Sequence, residues 1–449
     1  MDEKAANCDC MFCKNMHEFT ISKDLLDELL SGKVTLFAGA GISTESRTVL
    51  KMTFYDSIAL EIGKLFSSRN FSELMELYCN QPNGRLKLLN KIKDRFDHID
   101  SFPELVKSAT RFHRELGTFY PIKDIVTTNW DTYFEQFCKA TPFVTDSDLA
   151  FWEAANRRVL KIHGSISNYG SIVATTEDYQ LCHDRLSTGI IGSVLKTILA
   201  TQTVIFIGYS LTDSDFLAIY DFVKKQMNSL HKQAYVVTPS AEDCERFKDI
   251  GLIPIKTDGA YFLSQIKEHA VVQGEMIPDD VFDSALEFHY KVFREHQQLH
   301  DSVKLEDCPE VIFATSYQDG LLHALERAIS MKGSGKYSHR CDINRVINTY
   351  MNWQKEKRRR GVYEDVAYIE GYVNGLVFLL MSEQQRAENN PPLYFVFGAK
   401  FDIYDLDGFI NQIQSYPKAH KRAHKRALSL LKHLAGDPMA IEFHHPPWL

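Results

Sequence analysis

Long apolar runs are missing from this sequence. No stretch of 18 or more apolar residues occurs in its 449 positions, so no membrane-spanning helix is expected. Residues 1–17 carry acids, cysteines, asparagines and a histidine in place of a basic start and an apolar core, so a secretory leader is not expected either. Positive charge is not in excess. Lys and Arg number 51 against 59 Asp and Glu, for a net charge of −8 and an isoelectric point near 6.1, which argues against electrostatic binding of nucleic acid by the whole chain. The nine cysteines are odd in number and scattered. They fit a reducing cytoplasm better than a disulfide framework.

What is present is ordinary globular material, 44% hydrophobic and 24% charged, in a chain long enough for two domains or more. Its most informative stretch runs Lys-Val-Thr-Leu-Phe-Ala-Gly-Ala-Gly-Ile-Ser-Thr-Glu-Ser at 33–46. Residues 34–38 are a short apolar, β-rich run that reads as a buried strand. Gly39, Ala40 and Gly41 then turn the backbone, and Ser43 and Thr44 suit the start of a helix. A strand, a glycine turn and a helix N-terminus together form an anion site, and a dinucleotide pyrophosphate suits it. The dehydrogenase fingerprint is not met. Thr44 stands where that motif needs Gly or Ala, and no acidic residue follows at the usual spacing of about 20.

The same design recurs along the chain. After helical stretches at 19–30, 54–97 and 103–117, the run Lys-Asp-Ile-Val-Thr-Thr-Asn at 123–129 reads as a second strand, with Asn129 and Asp131 at its tip and a helix from 130. Arg-Val-Leu-Lys-Ile-His at 158–163 is a third, ending on His163 and Gly164. Thr-Val-Ile-Phe-Ile-Gly at 203–208 is a fourth, followed by Ser210, Asp213 and Asp215. Residues 233–239 and 252–256 make a fifth and a sixth. Strands alternating with helices imply a parallel sheet with right-handed crossovers, and ligands of such sheets bind beyond the carboxyl ends of the strands. Polar residues at these tips are therefore placed for chemistry. Histidine changes charge near neutrality and can give or take a proton there. Asp131 is equally well read as a helix cap.

Two other features carry alternatives. Cys8, Cys10, Cys13 and His17 are spaced closely enough to surround a structural zinc, or they belong to a reduced tail. The basic clusters at 355–360 and 418–432 are either solvated helix faces or contacts for nucleic acid or an acidic partner. Residues 271–310 are Gln-rich and acidic and read as a linker. Beyond them, helical spacing at 319–331, 342–353, 364–381, 405–416 and 418–434, with a lone strand at 393–397, makes a mostly helical C-terminal domain.

The four blocks Gly-Ala-Gly-Ile-Ser at 39–43, Thr-Asn-Trp-Asp at 128–131, His-Gly at 163–164 and Gly-Tyr-Ser-Leu at 208–211 together resemble the sirtuin superfamily, over about residues 20–270. The protein-deacylating members carry two Cys-x-x-Cys pairs between the His-Gly and Gly-x-Ser blocks. Only Cys182 falls in that interval here, and the peptide-pairing Phe-Gly-Glu segment is absent. The wording is closer to the bacterial sirtuin-like branch of anti-phage defence proteins, which consume NAD outright.

The resemblance implies an α/β, Rossmann-like parallel sheet with a helical insert. The implied division is a tail (1–17), a catalytic domain (18–270), a linker (271–310) and a mostly helical domain for oligomerisation or partner binding (311–449). It implies NAD as substrate, cleaved to nicotinamide and ADP-ribose, with Asn129, His163 and Asp131 catalytic, His163 as the general base and Asn129 and Asp131 beside the nicotinamide ribose. Ala38, Gly39, Ala40, Gly41, Ile42 and Ser43 would hold the pyrophosphate, with Thr128, Gly208, Ser210 and Asp213 also touching the dinucleotide. No metal is assigned to the site. Control by a homo-oligomer, a hexameric DNA-translocating ATPase or a phage-derived activator is implied as well. The other readings are an NAD-dependent protein deacylase and a non-catalytic NAD or ADP-ribose sensor.

Overall fold

A computed structural model describes residues 10–63, 70–211, 214–415, 420–434 and 443–447. The chain divides into two compact units, Met1–Ala270 and Val271–Leu449.

In the first unit, seven short strands form one parallel sheet: β1 (Val34–Ala38), β2 (Asp124–Thr127), β3 (Thr141–Phe143), β4 (Arg158–Lys161), β5 (Thr203–Ile207), β6 (Ala234–Thr238) and β7 (Ile253–Lys256). Their order is β3-β4-β2-β1-β5-β6-β7. Every residue of β1, β2, β5 and β6 is buried. Runs such as Val-Thr-Leu-Phe-Ala and Thr-Val-Ile-Phe-Ile thus lie in strands covered on both faces, as parallel sheets require. Seven strands replace the six read from sequence. The addition, β3, is a three-residue edge strand carrying Pro142, too short to leave a periodic signal and confined by its proline to an edge.

The order reverses at β1. The chain lays β2 beside β1, goes out to the edge at β3 and fills β4 between them, then crosses to place β5, β6 and β7 on the other side. That is a topological switch point, where a crevice opens above the strand ends. Between β1 and β2 the chain inserts the helices Phe54–Ile62, Phe71–Cys79, Gly84–Asp100, Pro103–Ala109 and Arg111–Gly117. Phe54, Ile58, Leu74, Met75, Tyr78, Leu88, Ile92 and Phe96 pack the first three together. Thr53 opens the first with a reciprocal capping box to Asp56.

The second unit is helical. Val311–Ser330 and Tyr363–Leu380 form its centre, with Val281–Ser302 and Arg340–Arg360 packed into one core with them. The two central helices approach very closely. A Cβ on Gly371 would lie 1.9 Å from the Tyr317 carbonyl oxygen, and one on Gly320 would lie 2.0 Å from that of Tyr368.

Two expectations fail here. Residues 271–310 are not a linker, because 22 of them form the Val281–Ser302 helix, with Phe282, Phe288, Val292 and Leu299 buried in the core. The polar residues that gave this stretch a linker-like composition lie on the solvent side of an amphipathic helix. Residues 393–397 form no strand. Tyr394 makes an isolated antiparallel bridge to Ile403.

The basic clusters are partly engaged in the unit's own ion pairs. Arg426, on the Lys421–Leu434 helix, grips the Glu364 carboxylate with two nitrogens. Lys357 pairs with Asp365 at 2.7 Å, and Arg360 with Glu356 at 2.8 Å. Lys421, Arg422, Lys425 and Lys432 are exposed.

Candidate active site

The loops after β1, β2, β4 and β5 meet around one cavity of about 380 Å³. Its walls include Ala40, Gly41, Thr44 and Glu45 from the first loop, Thr128, Asn129, Trp130 and Asp131 from the second, His163 from the third, and Gly208, Tyr209 and Ser210 from the fourth. Phe54, Tyr55, Phe71, Ile92, Arg95 and Phe96 of the helical insert close the remaining side. Sequence blocks spread over 170 positions thus share one crevice, because each follows a strand and the strands are neighbours.

Asn129 is 3% exposed. Its amide nitrogen donates to the Gly39 carbonyl at 3.2 Å and to Ser43 Oγ at 3.4 Å, while its Oδ1 is buried without a hydrogen-bond partner. Trp130 Nε1 is also buried without one, its ring edge-on to Phe54 and tilted against Phe71. Buried polar atoms are normally satisfied. An orphaned acceptor and an orphaned donor on residues of one cavity wall therefore fit a polar ligand there.

Asp131 is 1% exposed, and both its carboxylate oxygens are engaged. Oδ2 accepts from Ser43 Oγ at 3.0 Å and Oδ1 from the Tyr133 backbone N–H at 3.2 Å. The Ser43 bond ties β1's loop to β2's, and Asp131 also lines the cavity. Beneath it, the fully buried Lys161 donates to the Asp131 carbonyl and, at 3.1 Å, to Glu135. His163 is buried, its ring edge-on to Tyr179 at 5.0 Å, and its carbonyl accepts from Val173 N at 3.0 Å.

The glycine turn does not do what the sequence predicts. No α-helix begins at Ser43. A single 3-10 turn, Ala40–Ile42, follows Gly39, and the next helix starts at Phe54. The Gly39 and Gly41 amides donate to the Ile207 and Gly208 carbonyls at 2.9 and 3.0 Å, and those of Ile42, Ser43 and Glu45 donate within the turn. A helix-dipole anion site is therefore not formed. The glycines instead let the loops after β1 and β5 touch. A Cβ on Gly39 would sit 2.5 Å from the Gly208 carbonyl oxygen. Gly208 has φ +60°, and a Cβ there would meet Ile42 N at 2.6 Å.

Of the residues expected to touch a dinucleotide, Ala40, Gly41, Thr128, Gly208 and Ser210 line the cavity, and Ala38, Gly39, Ile42 and Ser43 do not. Asp213 falls outside the described residues, as does Cys8; Cys10, Cys13 and His17 form no metal-holding group among those described.

Sequence reasoning missed Arg95. From the middle of Gly84–Asp100 its guanidinium donates to the Thr44 carbonyl at 3.0 Å and the Met52 carbonyl at 3.2 Å, and pairs with Glu45 at 2.9 Å. Glu45 in turn accepts from Phe54 N at 2.7 Å, and burial raises its carboxyl above the usual range despite Arg95. This clasp holds the loop that replaces the expected helix. No local motif marks an arginine on an ordinary amphipathic helix as the partner of a loop 50 residues earlier.

Residues 123–255, from β2 to β7, match the SIR2-like domain family. Among curated proteins the chain is similar to defense-associated sirtuin 2 of Bacillus subtilis, 23% identical over 403 residues, which are 86% of this chain and 36% of that protein. It is also similar to the NAD(+) hydrolase ThsA of Bacillus cereus (strain MSX-D12), 26% identical over 218 residues (47% and 43% of the two chains), and to that of Enterococcus faecium, 26% over 231 residues (49% and 46%). The chain thus spans less than half the length of each of these relatives.

Proposed function

We propose that this chain is an NAD glycohydrolase of bacterial defence, cleaving NAD and water to nicotinamide, ADP-ribose and a proton. The observation that carries the reading is the meeting of Asn129, His163, Gly208 and Ser210 in one cavity at the switch point of a SIR2-like sheet. The NAD(+) hydrolases among its relatives support it.

The positively charged nicotinamide leaves a ribose with oxocarbenium character, so the site must hold the two halves in place and present a nucleophile. Asn129 is assigned to orient water or a ribose hydroxyl through its unpartnered Oδ1. His163 takes the proton of the attacking water. Asp131 is a positioning residue that fixes Ser43 and, through it, Asn129. Ala40, Gly41, Thr128 and Ser210 flank the dinucleotide.

Incubation with NAD, with and without an acetylated peptide, tests the reaction. Free ADP-ribose and nicotinamide without peptide are expected. O-acyl-ADP-ribose formed only with peptide would make the chain a deacylase, and measurable binding with NAD unchanged would make it a sensor. Constant NAD consumption would harm the host, so the proposal includes control by self-association or by a partner such as a DNA-translocating ATPase or a phage component. The turnover per chain should then rise with protein concentration or on adding the co-encoded partner. DNA contact through Lys421, Arg422, Lys425 and Lys432 would appear as binding lost steeply with added salt.

A further inference from the structure

The Val281–Ser302 helix carries His296 and His300, four residues apart and so one above the other on the same face. The segment 443–447 brings His444 beside them. One ring nitrogen from each of the three lies within 4.8 Å of the others, and the ring centroids stand 4.6, 5.3 and 5.2 Å apart. The Val311–Ser330 helix adds a carboxylate. Asp319 Oδ1 is 3.8 Å from His296 Nε2 and 3.5 Å from His444 Nδ1. Asp319 is buried, and its other oxygen accepts from the His445 backbone N–H at 2.6 Å.

The protonation pattern favours a cation. His296 Nδ1 faces the Gln318 carboxamide oxygen at 3.1 Å. That oxygen only accepts, so Nδ1 carries a proton and Nε2 is the nitrogen turned toward Asp319. An imidazole fixed in this way by a carbonyl partner is how metal-binding histidines are oriented. Nε2 and a carboxylate oxygen face each other at 3.8 Å, beyond hydrogen-bond distance and with room for a cation to draw both in.

We propose that His296, His300, His444 and Asp319 bind a divalent transition-metal ion, zinc in the first instance, that fastens residues 443–447 to the Val281–Ser302 and Val311–Ser330 helices. Three imidazoles and one carboxylate suit zinc in tetrahedral coordination, and four protein ligands leave no open position, which makes the site structural. Ligand atoms around such an ion stand about 3.3 Å apart. The cluster reaches that by small side-chain rotations, mainly of the exposed His444 and half-buried His300. The segment already lies in register for the metal. His445 bonds to Asp365 Oδ1 at 3.0 Å and stacks on Tyr368 at 4.2 Å.

The test uses the untagged full-length chain, measured for metal content after desalting and again after chelation and reloading with zinc or cobalt. About one ion per chain is expected. Cobalt should give the visible bands of a tetrahedral centre, and zinc should raise the Tm of the stripped protein and protect its C-terminal segment from proteolysis. His300→Ala with His444→Ala, chosen because these two are the least buried ligands, should lose all four responses. Cys8→Ser, Cys10→Ser and Cys13→Ser combined should keep them. Equal metal content and Tm response in the wild type and the double-histidine variant would overturn the proposal. So would loss of the metal in the cysteine variant alone, or a wild type that takes up neither ion.

Discussion

At the scale of single residues, Asn129 and Asp131 differ in what the fold leaves them. Asn129 keeps an unsatisfied oxygen in the cavity wall, whereas both oxygens of Asp131 are held by the protein. Asn129→Ala and His163→Ala should each lower NAD turnover about 10²–10⁴-fold with the Tm nearly unchanged, as read by product chromatography and a thermal melt. Asp131→Ala should lower the Tm as well, because it releases the Ser43 hydroxyl and the Tyr133 amide together. Full activity in the Asn129 or His163 variant would remove the assigned role. Arg95→Met leaves the half-buried Glu45 without its charge partner and should destabilise the first unit by about 2 kcal/mol, measured by urea denaturation. Asn129, Asp131 and His163 are legible in the sequence because each lies at the end of an apolar strand. Arg95 is not, because its partners are carbonyls and a carboxylate of a loop whose path no local pattern gives.

At the scale of elements, the strands are easier to read than the loops that leave them. The runs at 34–38, 203–207 and 253–256 fall where expected because buried parallel strands are short, apolar and bounded by turn residues. The loop after Gly41 departs from expectation because Ser and Thr favour turns as well as helix starts. Here the turn's amides bond to the β5 loop and within the turn itself, so no helix starts there. Gly208→Ala would put a Cβ against the Ile42 amide at a positive φ. It should cost about 2 kcal/mol or more and depress activity by parting the β1 and β5 loops, observable as a lower denaturation midpoint with slower turnover. Gly371→Leu would push the two central helices of the second unit apart at a carbonyl contact. A loss of about 3 kcal/mol or failure to fold is expected there, and a variant of unchanged Tm would mean that the helices are not so closely packed.

At the scale of the whole molecule, stability depends on pH through groups the sequence gives no reason to single out. His113, on the Arg111–Gly117 helix, is fully buried beside Tyr133 and Phe134. Burial lowers its pKa to about 4, with Asp131 opposing the shift and Lys161 adding to it. The unfolded chain takes up a proton at this side chain near pH 6.5, and the folded one does so only near 4. The stability that His113 contributes is therefore present above about 6.5 and is lost as pH falls between those values. At pH 5 that loss is about 2 kcal/mol. Comparing the Tm drop from pH 7 to 5 in the wild type and in His113→Leu checks it; the variant should lose less.

The sequence by itself determined the class of the first unit, the strand-tip residues and the helical character of the second, since these depend on local periodicity and on polar residues placed directly after apolar runs. Only the tertiary structure decided which tips become neighbours, that the glycines serve loop contact, and that residues 281–302 are a core helix. It alone brought His296, His300, Asp319 and His444 together. Such facts depend on groups far apart in the chain whose free energy of contact exists only once the sheet order and helix packing are set, and no local pattern carries them.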